Sequence, residues 1–155
     1  MSQVQHLSLS IDIAAPAERV FAAITDWPAQ GEWMLGTTVR SLDGPGHHVG
    51  ARLEAFTGVG PVGFLDTMTI TAWQPPTRVD VMHTGRVVRG IGIMEVEALG
   101  PDRSRFTWAE DLELPWGGLG RAGWPLVRPG FLSGVRRSLA AFARMVEAGQ
   151  LPTTA

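Results

Sequence analysis

Apolar and polar positions alternate over residues 4–14, with Leu7, Leu9, Ile11 and Ile13 on one face and His6, Ser8, Ser10 and Asp12 on the other. A period of two predicts a half-buried β-strand. Ala15-Pro16 ends it, and Pro16 suits the first position of a short helix with Val20, Phe21 and Ile24 as its stripe. Asp26-Trp27-Pro28 stops that helix and begins a second, running through Trp33 and Met34 with Asp26 as its cap. From residue 37 the period returns to two. Strands are predicted over residues 37–42, 50–57, 62–73, 78–84, 87–98 and 104–114, divided by turn chemistry such as Asp43-Gly44-Pro45-Gly46 and Gln74-Pro75-Pro76.

Residues 117–149 carry the longest helical period. Phe131, Leu132, Val135, Leu139, Phe142, Met145 and Val146 form one apolar stripe, with Arg136, Arg137, Ala140, Arg144 and Glu147 opposite. That stripe must be buried, and nearly everything upstream is strand. The pattern therefore predicts one α+β domain over residues 1–149, a long helix lying across a single curved antiparallel sheet. Gly149 suits the position just past the helix, and residues 150–155 read as a disordered tail. Pro125 and Pro129 predict a break or kink, because proline removes a helical donor and clashes with the preceding turn. Residues after Pro129 are expected to anchor the helix, and those before it, from Trp116 through Trp124 and Pro125, to form a movable lid.

Composition narrows the function more than the fold. A chain of 155 residues, 45% hydrophobic and 18% charged, can bury a sizeable core without staples. Its net charge of −2, with both signs scattered, gives no footprint for nucleic acid or an anionic membrane. No basic start with an apolar run marks a signal peptide, no stretch is long enough to span a membrane, and a cytoplasmic location is expected. The absence of cysteine excludes disulfides, thiolate metal sites and a thiol nucleophile. The absence of lysine excludes a Schiff base and a P-loop, and the absence of tyrosine removes phenolic acids. All 13 basic residues are arginine.

Several short motifs in this order carry a resemblance. They are residues 13–21 (Ile-Ala-Ala-Pro-Ala-Glu-Arg-Val-Phe), Asp26-Trp27-Pro28 with Trp33, Trp73-Gln74-Pro75-Pro76, Gly85-Arg86-Val87-Val88-Arg89-Gly90 and Phe106-Thr107-Trp108-Ala109-Glu110. Together with the element order they resemble the START/Bet v 1-like (SRPBCC) superfamily, within it the bacterial polyketide cyclase/dehydrase and lipid-transport group. The resemblance implies a helix-grip fold, in which a curved seven-stranded antiparallel sheet wraps around a long C-terminal helix and two short helices follow strand one. It also implies an elongated apolar cavity between sheet and helix. It supplies no catalytic set, since such proteins share a cavity more than a mechanism.

Strand parity indicates which side chains face that cavity. Phe106, Trp108, Glu110, Leu112 and Leu114 share a face, as do Met94, Val96 and Ala98; Val79, Val81 and His83; and Phe64, Asp66, Met68 and Ile70. A slip of one residue would reverse any of these assignments. The ligand-binding candidates are therefore Trp33, Met34, Phe64, Asp66, Met68, His83, Met94, Trp108, Glu110, Trp124 and Phe131. Trp33, Trp116 and Trp124 lie near loop ends, where they could gate a pocket mouth.

Asp66, His83 and Glu110 are the candidates for acid–base chemistry, because ionisable groups in an apolar interior demand partners or a role. A carboxyl in an apolar pocket tends to keep its proton and so suits a general acid. Inert alternatives stand beside that reading: Glu110 paired with Arg121 or Arg128, His83 bonded to Asp66 or loop backbone, and Asp66 wet at a strand end. Adjacent His47 and His48 point apart in an extended loop, so no metal site is expected. Ser133 lacks a nucleophile-elbow context, and Gly58-Val59-Gly60 precedes Pro61 and a strand rather than the helix of a phosphate loop. No cofactor is expected. Three functions remain open at this point: a binder of a hydrophobic small molecule (lipid, polyketide or aromatic metabolite), a polyketide cyclase or dehydratase using the cavity acids and bases, and a protein-docking module.

Overall fold

A computed structural model describes residues 4–114 and 117–153. The order is β1 (Val4–Ile13), α1 (Ala17–Ile24), a short 3-10 helix (Trp27–Glu32), β2 (Thr37–Ser41), β3 (Arg52–Val59), β4 (Val62–Gln74), β5 (Arg78–His83), β6 (Arg89–Gly100), β7 (Arg103–Glu113) and α2 (Gly117–Glu147). The seven strands form one antiparallel sheet in the order β1-β7-β6-β5-β4-β3-β2. Sequential hairpins run from β2 to β7, and β1 closes onto β7. This is the helix-grip architecture, with α2 lying against the concave face.

One end of the space between sheet and helix is solid core. Phe106 from β7, Phe142 from α2 and Trp33 from the end of the 3-10 helix meet there, with ring centroids 4.7 to 6.5 Å apart. All three side chains are buried, as are Val20, Ile24, Val79 and Val146 around them. Each fully buried side chain of this size stabilises the fold by roughly 1.5–3 kcal/mol. A register shift between Ile70 and Ala72 in β4 turns Trp73 onto the same face as Val79, its cross-strand partner. Trp73 there packs edge-on against Phe21 of α1 and stacks on His47. On the outer face, Arg40 pairs with Glu54, Arg78 with Asp80 and Glu95, and Asp12 with Arg103 and Arg105. Exposed pairs of this kind contribute little to stability.

Four local expectations need correction. First, there is no break at Pro125 or Pro129: the helix assignment of α2 continues through both. The two prolines are four residues apart on an exposed part of the helix, so the carbonyls they leave unpaired can be hydrated there. Second, the described part of the expected tail touches the fold through Leu151 and Thr153. Gly149, at φ 77°, terminates α2 in a Schellman motif, with Gly149 N–H bonded to Val146 O at 3.1 Å and Gln150 N–H to Met145 O at 2.8 Å. That turn drives Leu151 into the core at 1% exposure. Third, Asp26 stands at the cap position of the 3-10 helix but makes no side-chain cap there. Its carboxylate instead accepts the Thr153 N–H at 2.8 Å and the Thr153 hydroxyl. Fourth, Ala98 is exposed, beside an irregularity between Ala98 and Gly100 where β6 leaves the interior. Trp116 lies outside the described residues.

Candidate functional site

At the other end of the grip, sheet and helix stand apart and enclose a cavity of about 370 Å³, within the usual range for small-molecule sites. Met34, Phe64, Met68, Met94, Trp108 and Phe131 contribute to its walls, with Leu53, Ala55, Val81, Val88 and Leu112 among the further apolar lining. Leu35 and Phe131 belong both to the lining and to the surface, at 59% and 37% exposure, and so mark the rim. The segment of α2 that precedes Phe131 leaves Leu126 and Val127 facing solvent.

Asp66, His83 and Glu110 all reach this cavity. Asp66 lies mid-β4, and Met68, two residues on, pairs with His83 at the end of β5. That diagonal places both side chains on one face within reach. His83 Nδ1–H donates to Asp66 Oδ2 at 2.6 Å, and His83 Nε2 lies 3.5 Å from Glu110 Oε2. The second contact is within charge attraction but longer than a good hydrogen bond.

Glu110 and His83 belong to strands separated by β6, so roughly 10 Å of sheet lies between their backbones. They meet because β6 carries glycine at both intervening positions. Gly90 is registered against His83, and Gly92 against Val81 on one side and Glu110 on the other. A β-carbon at residue 92 would sit 3.0 Å from Val81 Cγ2, 3.6 Å from His83 Nε2 and 3.7 Å from Glu110 Oε1. The glycine forms a saddle over which histidine and carboxylate approach each other.

The side chains of Asp66 and His83 are buried, at 7% exposure each, and that of Glu110 is largely buried at 15%. Burial alone would lower the pKa of His83. The hydrogen bond to Asp66 and the neighbouring Glu110 carboxyl outweigh it and push the imidazole up to about 9. At neutral pH the cluster therefore holds one imidazolium between two carboxyl groups. Asp66 Oδ1 and His83 Nε2 are buried without a hydrogen-bond partner among the described residues. Such groups are costly unless something bonds them.

Two expected wall residues stand elsewhere. Trp33 is core, wedged against Phe142 at 4.7 Å, because the 3-10 helix ends by folding its ring beneath α2. Trp124 packs against Phe131, with ring centroids 6.1 Å apart, and is not among the lining residues. Residues not singled out by sequence include Gly92, Gln30, Thr57 and Ser138. Ser138 accepts the Leu35 N–H and donates to Gly134 O, both at 3.0 Å, so it ties the cavity rim to α2. A serine within an apolar helical stripe was the available signal for it. His47 bonds Thr25 O and His48 bonds Val49 O, and no cluster able to hold a metal occurs among the described residues.

Solved structures share this architecture. TTHA0849 from Thermus thermophilus matches with TM-score 0.77 at 15% identity, covering 94% of this chain and 99% of that one. A START superfamily protein from Mycobacterium smegmatis matches with TM-score 0.70 at 16% identity, covering 91% and 98%. The Zhui aromatase/cyclase from Streptomyces sp. R1128 matches with TM-score 0.70 at 16% identity, covering 96% and 94%. At these identities the likeness establishes the fold alone. A search of curated proteins found no match. The family model for polyketide cyclase / dehydrase and lipid transport matches residues 4–147, which takes in every strand and both α-helices, and the chain belongs to that family.

Proposed function

We propose that the protein binds a hydrophobic small molecule, a lipid, polyketide or aromatic metabolite, in the cavity between the sheet and α2. The observation that carries this reading is an apolar cavity of about 370 Å³ with one polar cluster in its wall, the usual composition of a small-molecule site. The test is displacement of the neutral fluorescent probe N-phenyl-1-naphthylamine, compared with a variant, Ala55→Trp, whose indole fills the cavity. Saturable one-to-one uptake by the natural chain, abolished in the variant, is expected. Equal uptake by both would overturn the reading.

The contact between His83 and Glu110 favours a second reading, an acid–base enzyme of the cyclase or dehydratase type. Both groups lie within reach of one bound atom pair, the distance requirement for such work. With a bound ketone, the imidazolium Nε2–H would protonate the carbonyl oxygen while the Glu110 carboxylate takes a proton from the adjacent carbon, giving the enol. Deuterium exchange at the α-carbon of a bound 1,3-diketone measures this step. If His83→Gln exchanges as fast as the natural chain, the enzymatic reading fails.

A further inference from the structure

We infer that the cavity selects a neutral ligand whose buried end is a hydroxyl group (alcohol, phenol or enol) and rejects a carboxylate. The inference rests on the small-molecule reading above and names the chemistry of that ligand. Its ground is the kind and direction of the polar groups. The charged lining consists of Asp66, His83 and Glu110; no arginine is among the described residues that line the cavity, and the sequence contains no lysine. A carboxylate or phosphate entering there would meet two carboxyl groups and no guanidinium fork.

The geometry specifies the hydroxyl further. His83 Nδ1 is committed to Asp66 at 2.6 Å, which leaves Nε2 turned toward Glu110 and the cavity, 3.5 Å from Glu110 Oε2. Nε2 is buried without a hydrogen-bond partner among the described residues. A hydroxyl is both donor and acceptor. Seated over the glycine saddle, its O–H can donate to Glu110 while its oxygen accepts from His83 Nε2–H, so a single atom satisfies both groups. Gly92 leaves the room for it, since a β-carbon there would come within 3.6 Å of His83 Nε2. A carboxylate offers acceptors only and would press a like charge against Glu110, where the low surrounding dielectric magnifies the repulsion. An ammonium head would suit Glu110 but face the imidazolium.

The test is a set of ligands on one skeleton, 1-naphthol, naphthalene, 1-naphthoate and 1-naphthylmethylamine, each displacing N-phenyl-1-naphthylamine at pH 7.5. Expected is 1-naphthol binding about tenfold tighter than naphthalene, the scale of one charge-assisted hydrogen bond, and about a hundredfold tighter than 1-naphthoate. In Glu110→Gln, checked for folding by circular dichroism, the gap between naphthol and naphthoate should narrow at least tenfold. Naphthoate or the amine binding as tightly as naphthol to the natural chain would overturn the inference while leaving a binding cavity intact. If neither the probe nor naphthalene binds, the cavity reading itself fails, and the head-group inference falls with it.

Discussion

Raising the pH from 6 to 10 should strip one proton from His83 and destabilise the fold by a calculable amount. In the unfolded chain the imidazole loses its proton near 6.5, whereas in the folded protein it holds it to about 9. Below 6.5 both states carry the proton and the cluster's contribution is complete. Between 6.5 and 9 the unfolded state gives up its proton first, so stability falls with each pH unit by about 1.4 kcal/mol. Above 9 neither state holds the proton and the contribution is gone. The loss across the window is about 3 kcal/mol. With a urea slope of roughly 2 kcal/mol/M, the unfolding midpoint should drop by about 1.5 M. Tryptophan fluorescence gives those midpoints at each pH, and subtracting His83→Gln removes the contribution of every other titrating group. A difference between the two chains that stays flat from pH 6.5 to 9 would refute the arrangement, as would an imidazole titrating at its ordinary value by NMR.

Asp66→Asn should cost about 1.5–3 kcal/mol, the range for a hydrogen bond to a charged group, and should shift the pH-dependent limb downward. A limb that stays in place would show that Asp66 does not hold the imidazolium. Gly92→Ala brings a β-carbon to 3.0 Å from Val81 Cγ2 and into the space beside His83 and Glu110. It should cost about 1–3 kcal/mol by overpacking and weaken 1-naphthol more than naphthalene in probe displacement; equal weakening would place the polar end of the ligand elsewhere. Leu151→Ala should lower stability by about 2–5 kcal/mol, read as a fall in melting temperature, whereas a change within error would mean that the C-terminal residues are not part of the core.

Much of this architecture was legible because its signals are periodic. Alternation in β4, β5 and β7 sends Asp66, His83 and Glu110 to one face without knowledge of the turns. The stripe from Val135 to Val146 likewise locates the buried side of α2. What periodicity indicates is a face, not a depth along it, and so Trp33 reads as cavity wall although it lies in the core beyond the cavity's end. Gly92 contributes by lacking a side chain, which leaves no mark in a hydrophobic pattern beyond an interrupted strand. The joining of His83 to Glu110 across β6 depends on that omission. Leu151 sits in a segment too short to show any period, and its burial follows from the chain reversal at Gly149. The passage of α2 through two prolines depends on their exposure, which the helix's neighbours decide.

The bond between Thr153 and Asp26 has a practical corollary for measuring any of this. It fastens the C-terminal end of the described chain at the start of the 3-10 helix, whose Trp27 and Gln30 belong to the cavity lining. A bead, surface or fluorescent protein attached after that point would tug on the cavity wall itself. The start of β1 is no more remote, since Gln5 and Leu7 are registered against Leu112 and Glu110 of β7, both in the cavity lining. With no lysine in the sequence, amine-coupling reagents modify no side chain of the fold, so such labelling leaves the cavity lining and its rim chemically untouched.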